Sequence, residues 1–295
     1  MLNSSIRCIT LGAMLLLGAC NASSATCGRM SGDQNQDNVA SAVPKDSKEA
    51  ACWLKQAAEK GSPRAQMDYA AMLRDGRGVA KDEVEAARWL RKAADQGYAP
   101  AQNNLGVTYH LGHGVPKDDA EAARWYRKAA EQGHAIAAAK IGDMYRKGEG
   151  VAKDDAEAFH WFRESADHGL VLAQILLGAA YALGDGVQSD GREAAKWYRR
   201  AAEKGDPLGQ LGLGMILAEG RDVEKDPEQA VLWFKKAADQ QNPEAQTLLA
   251  TMMLQGVGTA KNPTEAMKLL RKAAAKGDTH AQQLLETLCA ACKRD

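Results

Sequence analysis

The stretch GRGVAKDEVEAARWLRKAADQG, residues 76–97, returns almost unchanged as GHGVPKDDAEAARWYRKAAEQG at residues 112–133. The second copy begins 36 residues after the first, and the same step continues through most of the chain. Fixed-period self-similarity is the sequence signature of a repeat architecture, so the repeat decides the fold. All six tryptophans follow the step: Trp53, Trp89, Trp125, Trp161, Trp197 and Trp233.

Each period contains a segment that is typical of a capped helix. In the first quoted copy, Asp82 precedes the helix and Glu85 follows three residues later, which is the spacing of a capping box. The helix ends at Gly97, where a left-handed cap is expected. The capping residue and the terminal glycine recur every 36 residues, and Gln241 is the one residue that replaces this glycine. Asp222 is the one departure from the G-x-G turn between the helices.

The other half of each period predicts a second helix, typified by AQNNLGVTYHLG at residues 101–112. Its apolar residues fall at i, i+4, i+7 and i+8, which is one face of a helix with 3.6 residues per turn. One copy cannot bury this face and its Trp-bearing partner alone, so we expect the copies to stack. Position i+5 is a glycine that lets another helix come close in four periods: Gly106, Gly142, Gly178 and Gly214.

The columns A-x-x-x-L-G-x-x-Y-x-x-G-x-G-V and D-x-x-x-A-x-x-W-x-x-K-A-A-x-x-G resemble the Sel-one-like repeat (SLR) family over residues 46–292. The resemblance implies an all-α fold, a right-handed α-solenoid of helix-turn-helix repeats related to tetratricopeptide arrays, and a role as an adaptor. Counting the columns predicts a lone helix at 46–60, six helix pairs at 62–277 and a capping helix at 278–292.

The N-terminal segment has the pattern of a targeting signal. The apolar run at residues 9–17 is too short to span a bilayer as a mature helix. It ends in LGAC, which resembles the lipobox of bacterial lipoproteins and implies a signal peptide at 1–19, acyl chains on Cys20 and a flexible tether at 20–45. The resemblance implies the periplasmic face of the outer membrane. The alternative is an ordinary secretory signal and a soluble periplasmic protein.

Beyond the signal peptide and Cys20 the chain has four cysteines. An exported location favours disulfides. Cys52 occupies a helix column that is mostly charged in other periods, so we expect it to face outward and to pair with Cys27. Cys289 and Cys292 lie three residues apart on a helical end and can approach within bonding reach. A redox role for this C-A-A-C is the alternative.

The sequence carries no motif of a catalytic or cofactor site. It has no S-x-x-K, G-x-S-x-G or H-E-x-x-H pattern and no phosphate-binding glycine loop before a helix. His110 and His113 have a spacing that could hold a metal, but no third ligand stands nearby. The 38 basic and 38 acidic residues give no net field to attract nucleic acid. We therefore predict no enzyme activity, no cofactor, no metal and no nucleic-acid partner.

The function of a repeat scaffold lies in the positions that the repeat leaves free. By analogy with tetratricopeptide arrays, the first helices line a concave side, and their free positions are polar in the first three pairs and largely apolar afterwards. The alternative is tighter superhelical packing that hides these side chains. The predicted partner-binding groove consists of Leu172, Ile175, Ala179, Leu183, Leu208, Leu211, Met215 and Leu254.

Together these features predict a non-enzymatic adaptor that is anchored by lipid in the bacterial envelope and binds a protein partner there. Some lipid-anchored relatives neutralise phospholipase toxins, which gives the alternative of an immunity protein against a periplasm-delivered toxin. Cysteine-rich relatives described as weak β-lactam hydrolases give an enzymatic alternative. The identity of the partner and the oligomeric state stay open.

Overall fold

The structure, a computed structural model, describes residues 46–291 and their side chains as far as residue 288. Over this range the chain forms fourteen α-helices and no strand, in consecutive helix-turn-helix repeats. This confirms the predicted all-α α-solenoid with a period of about 36 residues. The helices are α1 (Ser47–Glu59), α2 (Pro63–Asp75), α3 (Glu83–Asp95), α4 (Ala99–Leu111), α5 (Asp119–Ala130), α6 (Ala135–Lys147), α7 (Asp155–Asp167), α8 (Val171–Leu183), α9 (Gly191–Glu203), α10 (Pro207–Glu219), α11 (Pro227–Asp239), α12 (Pro243–Gln255), α13 (Pro263–Ala275) and α14 (Thr279–Ala291).

The chain divides into two compact units, the first ending at Gln96 and the second beginning at Gly97. Helices α1–α3 belong to the first unit and α4–α14 to the second. Within each unit every helix packs against the next helix along the chain, and in the second unit α8 also contacts α10. Among the described residues, no helix is long and apolar enough to cross a membrane.

The predicted helix caps are present, but only half of the predicted capping box forms. The Asp82 carboxylate accepts a hydrogen bond from the backbone N–H of Glu85 at 2.9 Å, and the corresponding bond in the next repeat has the same length. In a full box, the Glu85 side chain would accept from the backbone N–H of Asp82. That N–H instead donates to the carbonyl of Leu73 on α2 at 2.9 Å. The prediction of a reciprocal box is wrong here because the cap N–H ties the two helices of the repeat together.

At the one turn that lacks the second glycine of the G-x-G pattern, the facing helix supplies a glycine instead. A Cβ on Gly186 would lie 2.0 Å from the carbonyl oxygen of Asp155, so a glycine is required at that turn. Asp222 takes the corresponding place one repeat later, and the residue that faces its turn is Gly191. A Cβ on Gly191 would lie 2.0 Å from the carbonyl oxygen of Arg221. The glycine has therefore moved to the opposite side of the same close contact.

The core of the second unit pairs small residues on first helices with rings on second helices. A Cβ on Gly178 of α8 would lie 2.9 Å from the ring of Tyr198, and a Cβ on Gly214 of α10 would lie 2.6 Å from the ring of Phe234. In the following repeat the second helix carries leucine at position 270, and the residue 20 positions earlier is Ala250. The small residue is therefore matched in size to a side chain 20 positions later.

The tryptophans fill the space between helices, as predicted. In most repeats a cation three residues later covers the indole face, as Arg200 does at 4.3 Å from the Trp197 ring centroid. Trp161 is only 8% exposed, but Glu164 stands where the cation would be. Its buried indole N–H has no hydrogen-bond partner among the described residues.

A ladder of glutamines, which the sequence analysis overlooked, links helices of successive repeats. Gln210 donates from Nε2 to the backbone carbonyl of Ala202 at 3.4 Å, and Gln240 donates to the Gln210 Oε1 at 2.9 Å. In the preceding repeat Lys204 takes the place of Gln240, and the Oε1 of Gln174 is buried with no partner in the described part of the chain. The 36-residue spacing of these glutamines was visible in the sequence.

Candidate functional site

Helix α8 (VLAQILLGAAYAL) carries no charged residue, although parts of it face solvent. Leu177 and Gly178 are buried against the neighbouring helices. Leu172 and Leu183 lie outside this packing and are 55% and 70% exposed. Contiguous exposed apolar surface on a folded protein is typical of an interaction site.

Helix α10, which contacts α8, continues the exposed apolar surface. Leu208 and Met215 on this helix are 49% and 37% exposed. We call Leu172, Leu183, Leu208 and Met215 the apolar face. The predicted groove residues Ile175 and Ala179 on α8 and Leu254 on α12 are half-buried.

Leu211 does not have the exposure that the groove prediction requires. It is only 6% exposed and belongs to the same apolar cluster as Phe234 and Leu249. The same position of the repeat is buried on other first helices as well, with Asn103 8% and Thr247 1% exposed. This position therefore packs between helices in several repeats, and it is not one that stacking leaves free.

A cavity of about 250 Å³ opens between α6, α7 and α8. The rings of Phe159 and Phe162 and the side chain of Leu176 supply its apolar lining. Phe159 is fixed by an edge contact with Tyr181, with ring centroids 5.2 Å apart and planes at 87°. Ala179, one of the predicted groove residues, also lines the cavity.

One wall of the cavity is formed by a side chain that departs from the repeat. Phe159 stands in a column that holds alanine at Ala87, Ala123 and Ala195 and valine at Val231. A ring in place of a methyl group gives this repeat an aromatic wall that those repeats do not have. Sequence reasoning missed the site, although the break in the alanine column was its signal.

Three charged residues, Arg146, Asp155 and Asp185, line the cavity beside its apolar wall. The guanidinium of Arg146 is bound by Asp143, which also accepts from Lys147 at 2.7 Å. Burial would raise the pKa of the Asp143 carboxyl, but the hydrogen bonds from Lys147 and Arg146 outweigh burial and hold the pKa below its ordinary value. Asp143 is therefore shared by two cations, and its single negative charge offsets only part of the positive charge at Arg146.

The segment around the cavity is strongly acidic in a chain that is neutral as a whole. Residues 149–190 contain two basic residues, Lys153 and Arg163, against eight carboxylates, a net charge of −6. Asp155 is paired with Lys153 at 3.3 Å, whereas Asp185 forms no ion pair within residues 46–288. The cavity therefore lies in a local negative field.

The structure describes the histidine pair and only some of the cysteines that the sequence analysis singled out. His110 Nδ1 lies 2.6 Å from a carboxylate oxygen of Asp119 on α5, and the described residues contain no cluster that could hold a metal. Cys52 is half-buried and disulfide-bonded, and its partner is not among the described side chains. The other cysteine assignments stay predictions: Cys20, Cys27 and Cys292 lie outside the described residues, and the side chain of Cys289 is not described.

Comparison with known proteins gives a consistent family assignment. The profile of the Sel1 repeat matches seven consecutive segments, at residues 40–62, 63–98, 99–134, 135–170, 171–206, 207–242 and 243–278. A comparison with curated proteins gives no match.

Two solved structures are similar to this chain in both sequence and fold. A protective antigen of uropathogenic Escherichia coli that displays an SLR fold has a TM-score of 0.81 and 38% identity, over 83% of this chain and 53% of that one. This chain therefore spans about half the length of that protein. A Sel1 repeat protein from Oxalobacter formigenes has a TM-score of 0.66 and 37% identity, over 82% of this chain and 70% of that one.

Proposed function

We propose that this chain, which belongs to the Sel1 repeat family, is a non-enzymatic scaffold that binds a protein partner on the apolar face of α8 and α10. Sel1 repeat proteins are generally scaffolds for protein–protein interaction. Repeat scaffolds of this kind use the side chains that stacking leaves free.

The observation that carries the proposal is the exposure of leucines on an uncharged helix. Leu172 and Leu183 stand 55% and 70% exposed on α8, and Leu208 extends the surface onto α10 at 49%. Burying such side chains against a partner is favourable by about 25 cal/mol per Å² of apolar surface. A few buried anchors carry most of the affinity in protein interfaces.

A site-specific crosslinking experiment tests the proposal. A photoreactive phenylalanine analogue at position 183 should capture a defined protein from the native cell. Leu232 is the matched control position, because this leucine is 52% exposed on the second helix α11. The same analogue there should capture nothing specific.

Paired substitutions give the second readout. Leu172→Glu with Leu183→Glu should leave the far-ultraviolet circular dichroism spectrum unchanged and weaken the captured complex at least about tenfold. Leu232→Glu should leave the complex intact. Equal capture from both positions, or a complex that survives the double substitution, would show that the apolar face is not the binding site.

We also propose that the scaffold is held in the bacterial envelope by acyl chains on Cys20, which follows the LGAC motif. Several acyl chains give stable membrane anchoring where a single chain does not. Metabolic labelling with an alkyne fatty acid should label the wild-type chain and not Cys20→Ser. Labelling of both would contradict the lipobox, and labelling of neither would favour the soluble periplasmic alternative.

The two other functions stay predictions from resemblance. An immunity protein of Pseudomonas aeruginosa aligns with a TM-score of only 0.38 at 20% identity, and at that level the match carries no argument about function. Co-expression with a candidate toxin tests that alternative. The β-lactam hydrolase alternative requires an acyl adduct with a penicillin, which intact-mass spectrometry would detect.

A further inference from the structure

The cavity beside the apolar face is small. Sites that bind cofactors or drug-sized ligands measure about 300–1,000 Å³, whereas this cavity measures about 250 Å³. A volume of this size fits one large side chain of a partner, and its lining then decides which type of side chain enters.

The lining combines aromatic rings with carboxylates. The rings of Phe159 and Phe162 line the cavity beside Leu176 and Ala179, and the face of an aromatic ring attracts a cation. Asp155 and Asp185 supply carboxylates at the same cavity. Arginine and lysine match this combination, because their long aliphatic stems pack on apolar surface while their charged heads pair with carboxylates.

The one basic residue at the cavity does not oppose this assignment. Arg146 is bound to Asp143, which accepts from Lys147 as well. Residues 143–190, which include Arg146 and Lys147, still contain nine carboxylates against four basic residues, a net charge of −5. Charge complementarity therefore favours a basic partner over an acidic one.

We infer that the partner is a protein with a basic segment, and that one of its arginine or lysine side chains enters the cavity between α6, α7 and α8. Apolar residues beside that side chain pack on Leu172 and Leu183. This inference rests on the proposed function and adds to it the chemistry of the partner.

The test uses the full chain and a random decapeptide display library as the probe. Selected peptides should be enriched in arginine or lysine next to large apolar residues. In resynthesised peptides, replacement of the basic residue by citrulline, a neutral analogue of arginine, should weaken binding about tenfold. Rising salt should weaken binding as well, because the contact is between charges.

Two substitutions in the chain test the cavity itself. Phe159→Ala restores the residue that other repeats carry and should weaken binding about tenfold. Asp185→Asn should weaken binding about three- to fivefold, as expected for an exposed ion pair. The matched controls are Val231→Ala at the repeat position of Phe159 and Asp239→Asn at an exposed carboxylate of α11 outside the acidic segment, and neither should change affinity. Circular dichroism of each variant checks that it folds.

The outcomes separate the inference from the proposed function. If selected peptides are acidic or uncharged, or if Phe159→Ala and Asp185→Asn bind as the wild type does, the inference is wrong. The scaffold function then still stands as long as crosslinking through position 183 captures a partner. If no peptide binds and crosslinking captures nothing, both are wrong.

Discussion

A methyl group added at Gly214 should destabilise the second unit, and a matched change at Phe234 should relieve the effect. A Cβ on Gly214 would lie 2.6 Å from the nearest ring carbon of Phe234. The residue is 2% exposed and lies in the apolar cluster of the second unit. The repeat that follows carries Ala250 and Leu270 at the corresponding positions, so Gly214→Ala with Phe234→Leu copies a pairing that this protein already uses.

The expected magnitude is the difference between two opposing effects. Overpacking a core by one methyl group costs about 1–3 kcal/mol. Replacing glycine by alanine inside a helix returns about 0.5–1 kcal/mol. Gly214→Ala alone should therefore lower the free energy of unfolding by about 1 kcal/mol. Phe234→Leu alone should cost about 1–2 kcal/mol, which is less than the removal of a whole ring.

The double variant should be no less stable than Phe234→Leu alone, because the smaller side chain removes the collision. The four proteins form a double-mutant cycle with a coupling energy of about 1–2 kcal/mol. Urea unfolding followed by circular dichroism measures it, provided that the slope with denaturant stays constant. Ala250→Gly is the control, because it removes a methyl group where no ring collides and should cost about 0.5–1 kcal/mol. If the two single effects simply add, or if Gly214→Ala is neutral, the size-matching argument is refuted.

Three further substitutions test single interactions. Lys204→Gln should raise the free energy of unfolding by about 1 kcal/mol, because a glutamine there can donate to the unpaired Oε1 of Gln174. Gln240 donates to Gln210 in this way one repeat later. An unchanged urea midpoint would contradict the prediction. Glu164→Lys should add about 0.5–1 kcal/mol by placing a cation over the uncovered indole, and a lower thermal midpoint would count against it. Burial lowers the pKa of His134, which caps α6 through Nδ1. Its contribution to stability is therefore complete above pH about 6.5 and is lost as the pH falls through the lower pKa of the folded state. His134→Asp should abolish this loss between pH 7 and 5, and an unaltered pH profile of the melting temperature would exclude the cap as its source.

The repeat itself was determined by sequence because its signals are local. The aspartate caps, the terminal glycines and the spacing of apolar residues each act within one helix and its ends. Asp82 caps α3, and the second helices end at left-handed residues, with φ of 80° at Gly133 and 87° at Gly205. Even Gln241, the exception to the glycine column, adopts a φ of 64°. Stacked copies repeat the same local requirements, so one period predicts the others.

Only the tertiary structure decided how closely particular helices approach, because that distance depends on side chains from both partners. Leu211 was expected in an open groove, yet it is buried against side chains of α11 and α12, among them Phe234 and Leu249. Gly191 replaces the glycine that is missing at position 222, and the two residues are 31 positions apart. The cavity likewise depends on more than one helix, because its lining comes from α6, α7 and α8 and includes the ring of Phe159. A periodic sequence thus fixes which face of each helix is buried, whereas the fit between unequal side chains on different helices fixes where a surface remains open.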